Sequence, residues 1–249
     1  MHETKCWHEL DEFWDTVEPV LFCDRRMENA PVEVDKIINL LNMTPGQHVL
    51  DLCCGVGRHT LELARRGFRA TGLDRTQKYL DRAVSQAQQE GLDVEFIQGD
   101  MRTFSDEGRF DVILNYFTSF GYFNEPKDDT LVINNVYRSL KKGGIFLMDM
   151  MGKEVLAKVF RERDWREEEG ILILEERKIR GNWSIVESRW IMIRGDERKE
   201  VTLALRLYSA VELGLMLSNA GFKDVDVYGD IDGNPYDDTA KRLVTVGRK

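Results

Sequence analysis

No apolar run in this chain approaches the length of a membrane span. The first residues, Met1-His2-Glu3-Thr4-Lys5, are polar and have no apolar stretch behind them. Neither a membrane partner nor a secretory leader is expected from such a chain. Cysteine is scarce: Cys6, Cys23, Cys53 and Cys54 are the four present. None has the spacing of a zinc knuckle, and Cys53 adjoins Cys54, so reduced thiols, no metal site and a cytoplasmic location are expected. Positive charge is also in deficit, with 35 Lys and Arg against 44 Asp and Glu and a net charge of −9. That argues against a nucleic-acid partner, which wants a basic face, and leaves room only for a local basic patch. Internal repeats and low-complexity linkers are missing as well. What remains is a 249-residue chain of ordinary apolar and charged content, enough to bury one sizeable core.

The chain is organised around Asp51-Leu52-Cys53-Cys54-Gly55-Val56-Gly57. An apolar run, His48-Val49-Leu50, ends in an acid; a two-glycine loop follows, and then a helical pattern starts. Glycines allow a tight turn and the close approach of a ligand. The helix start offers unpaired N–H groups. The dinucleotide pattern G-x-G-x-x-G is incomplete, because Thr60 holds the third glycine's place.

Around this loop, apolar runs alternate with amphipathic stretches. Strands are expected at His48–Leu50, Ala70–Leu73, Val94–Ile97, Asp111–Leu114 and Ile145–Met148. Each ends in a polar residue: Asp51, Asp74, Asp100, Asn115 and Asp149. Helices are expected over 31–43, with Pro31 near the start, from the glycine loop to about Arg66, from Leu80 to near Gly91, and from Lys127 to Leu140, stopping at Gly143-Gly144. Such alternation predicts a parallel sheet with helices on both faces and a ligand at the strands' carboxyl edge. Residues 170–208 change to continuous and alternating apolar patterns broken by Gly181-Asn182 and Gly195-Asp196, which predicts three antiparallel strands. Ser209-Ala210-Val211-Glu212 reads as a capping box, and two strands near Val225–Tyr228 and Arg242–Val246 close the chain.

The expected fold is therefore α/β and doubly wound: a mostly parallel seven-stranded sheet with an antiparallel last strand, plus an antiparallel β insertion after the fifth strand. The units would be 1–45, a helical cap; 46–150, the ligand-binding core; 151–208, a helix and the insertion; and 209–249, a helix and the last two core strands. The aromatic and acidic stretch 6–29 reads as one or two short helices, either a packing arm or a lid. The insertion reads as a substrate wall or as the surface of a homodimer. In the loop Gly229–Tyr236, residues Asp230, Asp232 and Tyr236 either wall a pocket or form a solvated turn.

The stretch Asp51–Gly57, acid-x-x-x-Gly-x-Gly, resembles motif I of the Rossmann-like (class I) S-adenosylmethionine-dependent methyltransferases. The resemblance implies S-adenosyl-L-methionine as cofactor, S-adenosyl-L-homocysteine as its product, and a small-molecule methyl acceptor. Gly55 and Gly57 would let the main chain approach the cofactor, and Asp51 would meet its amino end. Asp74, nineteen residues after Gly55, would accept from the ribose hydroxyls. Asp100 would accept from the adenine amino group and Met101 would pack on the ring. Cys53, Arg58, Arg75, Asn115 and Phe117 complete the implied cofactor set. Asp149, His59 and Tyr122 are the candidate bases, and Trp14, Tyr116, Phe120, Arg206 and Tyr236 the candidate acceptor contacts. Where amino methyltransferases of nucleic acid or protein carry Asn-Pro-Pro-Tyr, this chain has Asn115-Tyr116-Phe117, which weakens that substrate class. Two other readings compete. An NAD-dependent oxidoreductase would use Asp74 equally well, but wants the missing glycine and gives Asp51 and Asp100 no task. A non-catalytic S-adenosylmethionine-binding protein would keep the fold alone.

Overall fold

The computed structural model describes residues 6–249; the polar run 1–5 lies outside the described residues. After a single 3-10 turn at Trp7–Glu9, helices α1 (Asp11–Leu21) and α2 (Asp24–Leu41) lead into the alternating region. That region is β1 (His48–Leu52), α3 (Arg58–Arg65), β2 (Arg69–Asp74), α4 (Gln77–Glu90), β3 (Val94–Gln98), β4 (Phe110–Asn115), α5 (Pro126–Ser139) and β5 (Leu140–Met150). Helix α6 (Lys153–Val159) and strands β6 (Arg163–Glu168), β7 (Ile171–Arg180), β8 (Ile185–Arg194) and β9 (Glu197–Arg206) follow. Helix α7 (Ala210–Ala220), β10 (Lys223–Tyr228) and β11 (Leu243–Arg248) end the chain.

The main sheet has the order β10-β11-β5-β4-β1-β2-β3. The pairs among β1 to β5 are parallel, whereas β11 runs antiparallel to both β5 and β10. Successive side chains of a strand point to opposite faces. Leu50, Ile113 and Phe146 accordingly join a core under α5 and α7, while Val49, Val112 and Leu147 join one under α2 and α3. Burial on both faces is why these strands read as continuous apolar runs. The order reverses at β1, which pairs with β2 on one side and β4 on the other. A crevice for ligands opens at such a switch point.

Three expectations on element boundaries change. Helix α2 begins at Asp24, so Pro31 lies inside it and not near its start. A proline there removes one ladder bond, yet the preceding turns are held from outside: Arg58 donates to the Arg26 carbonyl at 3.0 Å and Ala30 is buried. Strand β5 begins at Leu140, with Gly143-Gly144 inside its span; the register against β4 jumps there, from Phe110–Leu140 to Val112–Ile145. The insertion has four strands, not three, in the order β6-β7-β8-β9. The added edge strand, Arg-Asp-Trp-Arg-Glu-Glu, has no apolar alternation to announce it and takes its shape from the ladder with β7. The capping box at Ser209 and Glu212 is present as expected. One end of the small sheet's inner face, Ile171, Ile173 and Met192, packs on Phe13, Val17 and Val20 of α1. The N-terminal arm is thereby held between this sheet and the carboxyl edge of the core. Among the described residues, no helix is long and apolar enough to cross a membrane.

Candidate active site

The turn after β1 is tight enough to put Cys53 at φ +67° and Gly55 at φ +57°. Its N–H groups bond back to β2: Cys53 N and Cys54 N both donate to the Leu73 carbonyl, at 2.8 and 2.9 Å. Asp74, at the end of β2, accepts from Gly55 N through Oδ2 and from Thr76 N through Oδ1, each at 2.8 Å. Burial raises its pKa, and the two N–H donors oppose that rise. Asp51 is 3 % exposed and accepts from the Thr60 hydroxyl at 2.6 Å. The residue at the missing third glycine thus orients the motif's own acid. A Cβ on Gly55 would lie 2.7 Å from Phe22 Cζ, so the arm rests directly on the glycine loop.

At the next strand end, Arg102 embraces Asp100. Its Nε lies 3.1 and 3.0 Å from the two carboxylate oxygens, its Nη2 2.6 Å from Oδ2, and its backbone N 2.8 Å from Oδ1. Burial works to raise the Asp100 pKa, but these bonds outweigh it and the net shift is downward. Met101 is buried beside it, with the Cys53 thiol 3.6 Å from its sulfur. Burial also drives both Cys53 and Cys54 well above the ordinary thiol range. Arg102 reaches Glu9 at 3.1 Å, Arg75 reaches Asp11 at 3.2 Å, and the Tyr79 hydroxyl donates to the Trp14 carbonyl at 2.6 Å. These contacts latch the arm over the strand ends.

After β4, Phe117 and Thr118 both adopt left-handed backbone, φ +66° and +61°. Each such residue costs on the order of 1–2 kcal/mol. Asp149 holds them there. Its Oδ2 accepts from Phe117 N at 3.0 Å and its carbonyl from Thr118 N at 2.9 Å. Arg242 in turn grips the Asp149 carboxylate at 2.8 and 2.7 Å and the Thr118 hydroxyl at 2.7 Å.

One pocket collects much of the expected set: Asp51, Cys53, Gly55, Arg58, His59, Asp74, Arg75, Asp100, Met101, Tyr116, Phe117, Tyr122 and Trp14 all line it. The space it bounds, open mouth included, is about 990 Å³. Other expected residues stand behind or outside it. Gly57 caps α3 at φ +75° and packs under the loop, where a Cβ would come within 2.9 Å of Ala83. Asn115 is 1 % exposed and holds the carbonyls of Leu52 and Ser119 at 3.3 and 3.1 Å; its Oδ1 is buried without a partner. Asp149 is 2 % exposed and committed to Arg242, so it does not face the pocket as a base. Phe120 is fully buried against Tyr208. Arg206 lines a different cavity, and the Tyr236 hydroxyl donates to Glu154 at 2.9 Å. The loop before Tyr236 folds on itself, with Asp230 accepting from Asp232 N and from Asn234, and Asp232 paired to Lys36. Arg58 and Arg75 are engaged inside the protein as well, Arg58 with Glu33 and Arg75 with the arm.

Several groups escaped the sequence reading. Glu33 accepts from His59 at 2.7 Å and pairs with Arg58, and nothing in the pattern of α2 distinguishes it. Phe22, Tyr79 and Phe123 also line the pocket; Phe22 lies in the stretch read as a packing arm or a lid, and neither Tyr79 nor Phe123 was singled out. Arg102 could have been noticed: an arginine two residues beyond a strand-end acid is within reach of it in a turn.

Comparison with known proteins fits this geometry. Residues 49–144 match the family described as a methyltransferase domain. A putative methyltransferase of Geobacillus sp. (strain WCH70) is 24 % identical over 244 residues, covering 91 % of this chain and 96 % of its own. The crystal structure of an S-adenosylmethionine-dependent methyltransferase from Clostridium acetobutylicum superposes with a TM-score of 0.78 at 17 % identity, over 96 % of this chain and 98 % of the other. S-adenosylmethionine-bound CalS10, an amino pentose methyltransferase from Micromonospora echinaspora, superposes at 0.66 with 18 % identity, over 100 % and 99 %. Shorter matches are to 23S rRNA methyltransferases, one of which this chain covers over 31 % of its length. Residues 49–144 thus match a methyltransferase domain, and the fold over nearly the whole chain is that of S-adenosylmethionine-dependent methyltransferases.

The residues present fit that cofactor. Its ammonium and ribose hydroxyls are donors, and the pocket offers the strand-end carboxylates of Asp51 and Asp74, with the orphaned Asn115 Oδ1 just behind.

Proposed function

We propose that the acceptor is a small molecule and that methyl transfer is a direct displacement. The observation that carries this reading is the roof of the pocket. Trp14, Leu21 and Phe22 of the arm line the same space as Asp51, Asp74 and Asp100, and ion pairs latch the arm in place. A compact acceptor can bring its reacting atom beneath such a roof, whereas a folded RNA or protein surface does not reach it. The net charge of −9 and the amino pentose specificity of CalS10 support the same class. We read the arm accordingly as a lid, and the chain, with four free thiols, as cytoplasmic.

The cofactor, when bound, supplies a methyl carbon already activated by its positive sulfur. The chain then has to hold, orient and exclude water. Asp51, fixed by Thr60, takes the ammonium group; Asp74, fixed by two N–H donors, takes the ribose hydroxyls. Asp100 takes the adenine amino group while sharing its charge with Arg102, and Met101 packs on the ring. Tyr116 and Phe117 present aromatic faces that suit a cationic centre. Where the acceptor must shed a proton, His59 receives it, with Glu33 at 2.7 Å to balance the charged ring. Tyr122 stays protonated, because burial pushes its hydroxyl above the ordinary phenol range; it donates and does not act as a base.

The test is transfer of labelled methyl from S-adenosylmethionine to a panel of small amines, hydroxyls and thiols, run beside ribosomal RNA. Label in at least one small acceptor is expected. Label in RNA alone would overturn the reading.

A further inference from the structure

A second cavity lies on the far side of the Phe117–Thr118 loop. It is bounded by α6, by the inner face of the small sheet and by that loop, and it encloses about 1560 Å³ including its mouth. Its apolar surface comes from residues such as Leu156, Phe160 and Trp190. Around these stand six arginines, Arg26, Arg161, Arg166, Arg177, Arg206 and Arg242, against two acids, Asp164 and Glu175. In a chain of net charge −9, that local excess of positive charge selects for an anion.

Most of these guanidinium groups are already answered. Arg242 holds Asp149 at 2.7 Å, Arg206 faces Asp129 at 3.4 Å, and Arg161 lies 3.6 Å from Asp164. Arg166 and Arg177 both pair with Glu175, and Arg166 also lies 3.8 Å from Glu168 and Arg177 4.0 Å from Asp164. Arg26 stands apart. Among the described residues no carboxylate lies within hydrogen-bond distance of it; its guanidinium donates to the Leu21 carbonyl at 3.4 Å and sits 4.6 Å above the Phe117 ring. It is half-buried, and burial works against its charge. The Glu168 carboxylate supports its charge only from a distance, without a hydrogen bond, so an anion placed beside the guanidinium would offset the cost of withdrawing it from water.

Phe117 connects this cavity to the chemistry. Its ring lines the cofactor pocket, while Arg26 and Arg242 flank it at 4.6 and 5.9 Å from the cavity side. We infer that this cavity receives the methyl acceptor, and that the acceptor carries an oxyanion, a carboxylate or a phosphate, on an apolar body. Arg26 holds the oxyanion, with Arg166 and Arg177 further along the wall. The body rests on Phe160 and Trp190, and the accepting atom reaches past Phe117 toward the cofactor. This rests on the small-molecule reading above and adds the charge of the acceptor to it.

The test is calorimetry on the full chain loaded with S-adenosylhomocysteine, using three probes of one shape: 1-naphthylacetate, 1-naphthyl phosphate and the neutral 1-naphthaleneacetamide. At least one anion should bind about tenfold or more tighter than the amide. The arm that prefers acetate or phosphate identifies which oxyanion is meant. R26Q should bring that anion to within about threefold of the amide while its affinity for S-adenosylhomocysteine stays that of the wild type. R161Q alters a side chain that is 71 % exposed and keeps the fold; it should weaken the anion by about two- to fivefold. Should R26Q not fold, R161Q carries the test. Equal binding of anion and amide, no binding of either anion, or a preference unchanged by the variants would overturn the inference. Normal S-adenosylhomocysteine binding with any of those results leaves the methyltransferase reading standing; label in RNA alone, in the transfer assay, would instead remove the small-molecule reading.

Discussion

The cofactor pocket and the arginine-lined cavity stand on either side of Phe117, and they are built in different ways. In the first, the acids sit at consecutive strand ends and are fixed by nearby groups: Asp51 by Thr60, Asp74 by the N–H groups of Gly55 and Thr76, Asp100 by Arg102. In the second, the charges come from α2, from the segment before β6, from three strands of the insertion and from a residue just before β11, and they answer one another as ion pairs, two of which, Arg206–Asp129 and Arg242–Asp149, join remote parts of the chain. The first kind of site tolerates change around it, because each group carries its own support. The second depends on pairs, so the loss of one member exposes the other.

That contrast can be broken most directly at Arg242. Arg242→Gln leaves Asp149, whose side chain is 3 % exposed, charged and unpaired. Removing one partner of such a pair costs about 3–5 kcal/mol, to be read from urea unfolding, and the strained Phe117–Thr118 loop should lose its order with it. A loss below 1 kcal/mol would mean that water already reaches Asp149 and that the cavity is not pair-dependent.

Asp129 offers the next largest effect, behind the same cavity. It is fully buried, accepts from the Tyr208 hydroxyl at 2.7 Å, and burial pushes its pKa up to about 6 against the opposing pull of Tyr208 and Arg206. A carboxyl raised in this way keeps its proton in the folded chain after the unfolded chain has lost it. Stability therefore falls as pH rises from about 4 to about 6, and the full penalty stands above that range. Asp129→Asn should abolish that fall and gain about 2–3 kcal/mol at neutral pH. A melting profile against pH that keeps the same slope in the variant would exclude Asp129 as its source.

On the cofactor side the effects should be smaller and are read in binding and turnover. Asp74→Asn should weaken S-adenosylhomocysteine by about 1–3 kcal/mol, as two ligand hydroxyls lose an ionised acceptor; calorimetry that finds the affinity unchanged would take Asp74 out of the site. Tyr122→Phe should be the mildest. Burial raises its pKa, so the phenol is expected to stay protonated and the pH profile of turnover to keep its shape; a lost alkaline limb would make Tyr122 the base.

Local spacing explains which parts were legible before the fold was known. The glycine loop, the strand-end acids and the capping box at Ser209 all lie within one or two elements of their partners, so a one-dimensional pattern carries them. Strand β6 was invisible because its residues are charged and its conformation comes from β7. Pro31 misplaced the start of α2 because a proline marks a helix start only when nothing outside supports the turns before it. Asp149 looked like a base because it ends a strand; that its carboxylate is spent on Arg242, 93 residues away, is a fact of packing.

The sequence by itself determined the alternation of strands and helices in the core and the edge at which its polar strand ends gather, since these follow from periodicity; the cofactor was implied only by the resemblance of Asp51–Gly57 to a family motif. Tertiary structure alone decided that the arm roofs the pocket, that Glu33 stands behind His59, and that Arg26 stands over Phe117 with no carboxylate bonded to it among the described residues. Ion pairing depends on distance in space, and distance in space between remote residues is set only when the two sheets and the arm close on one another.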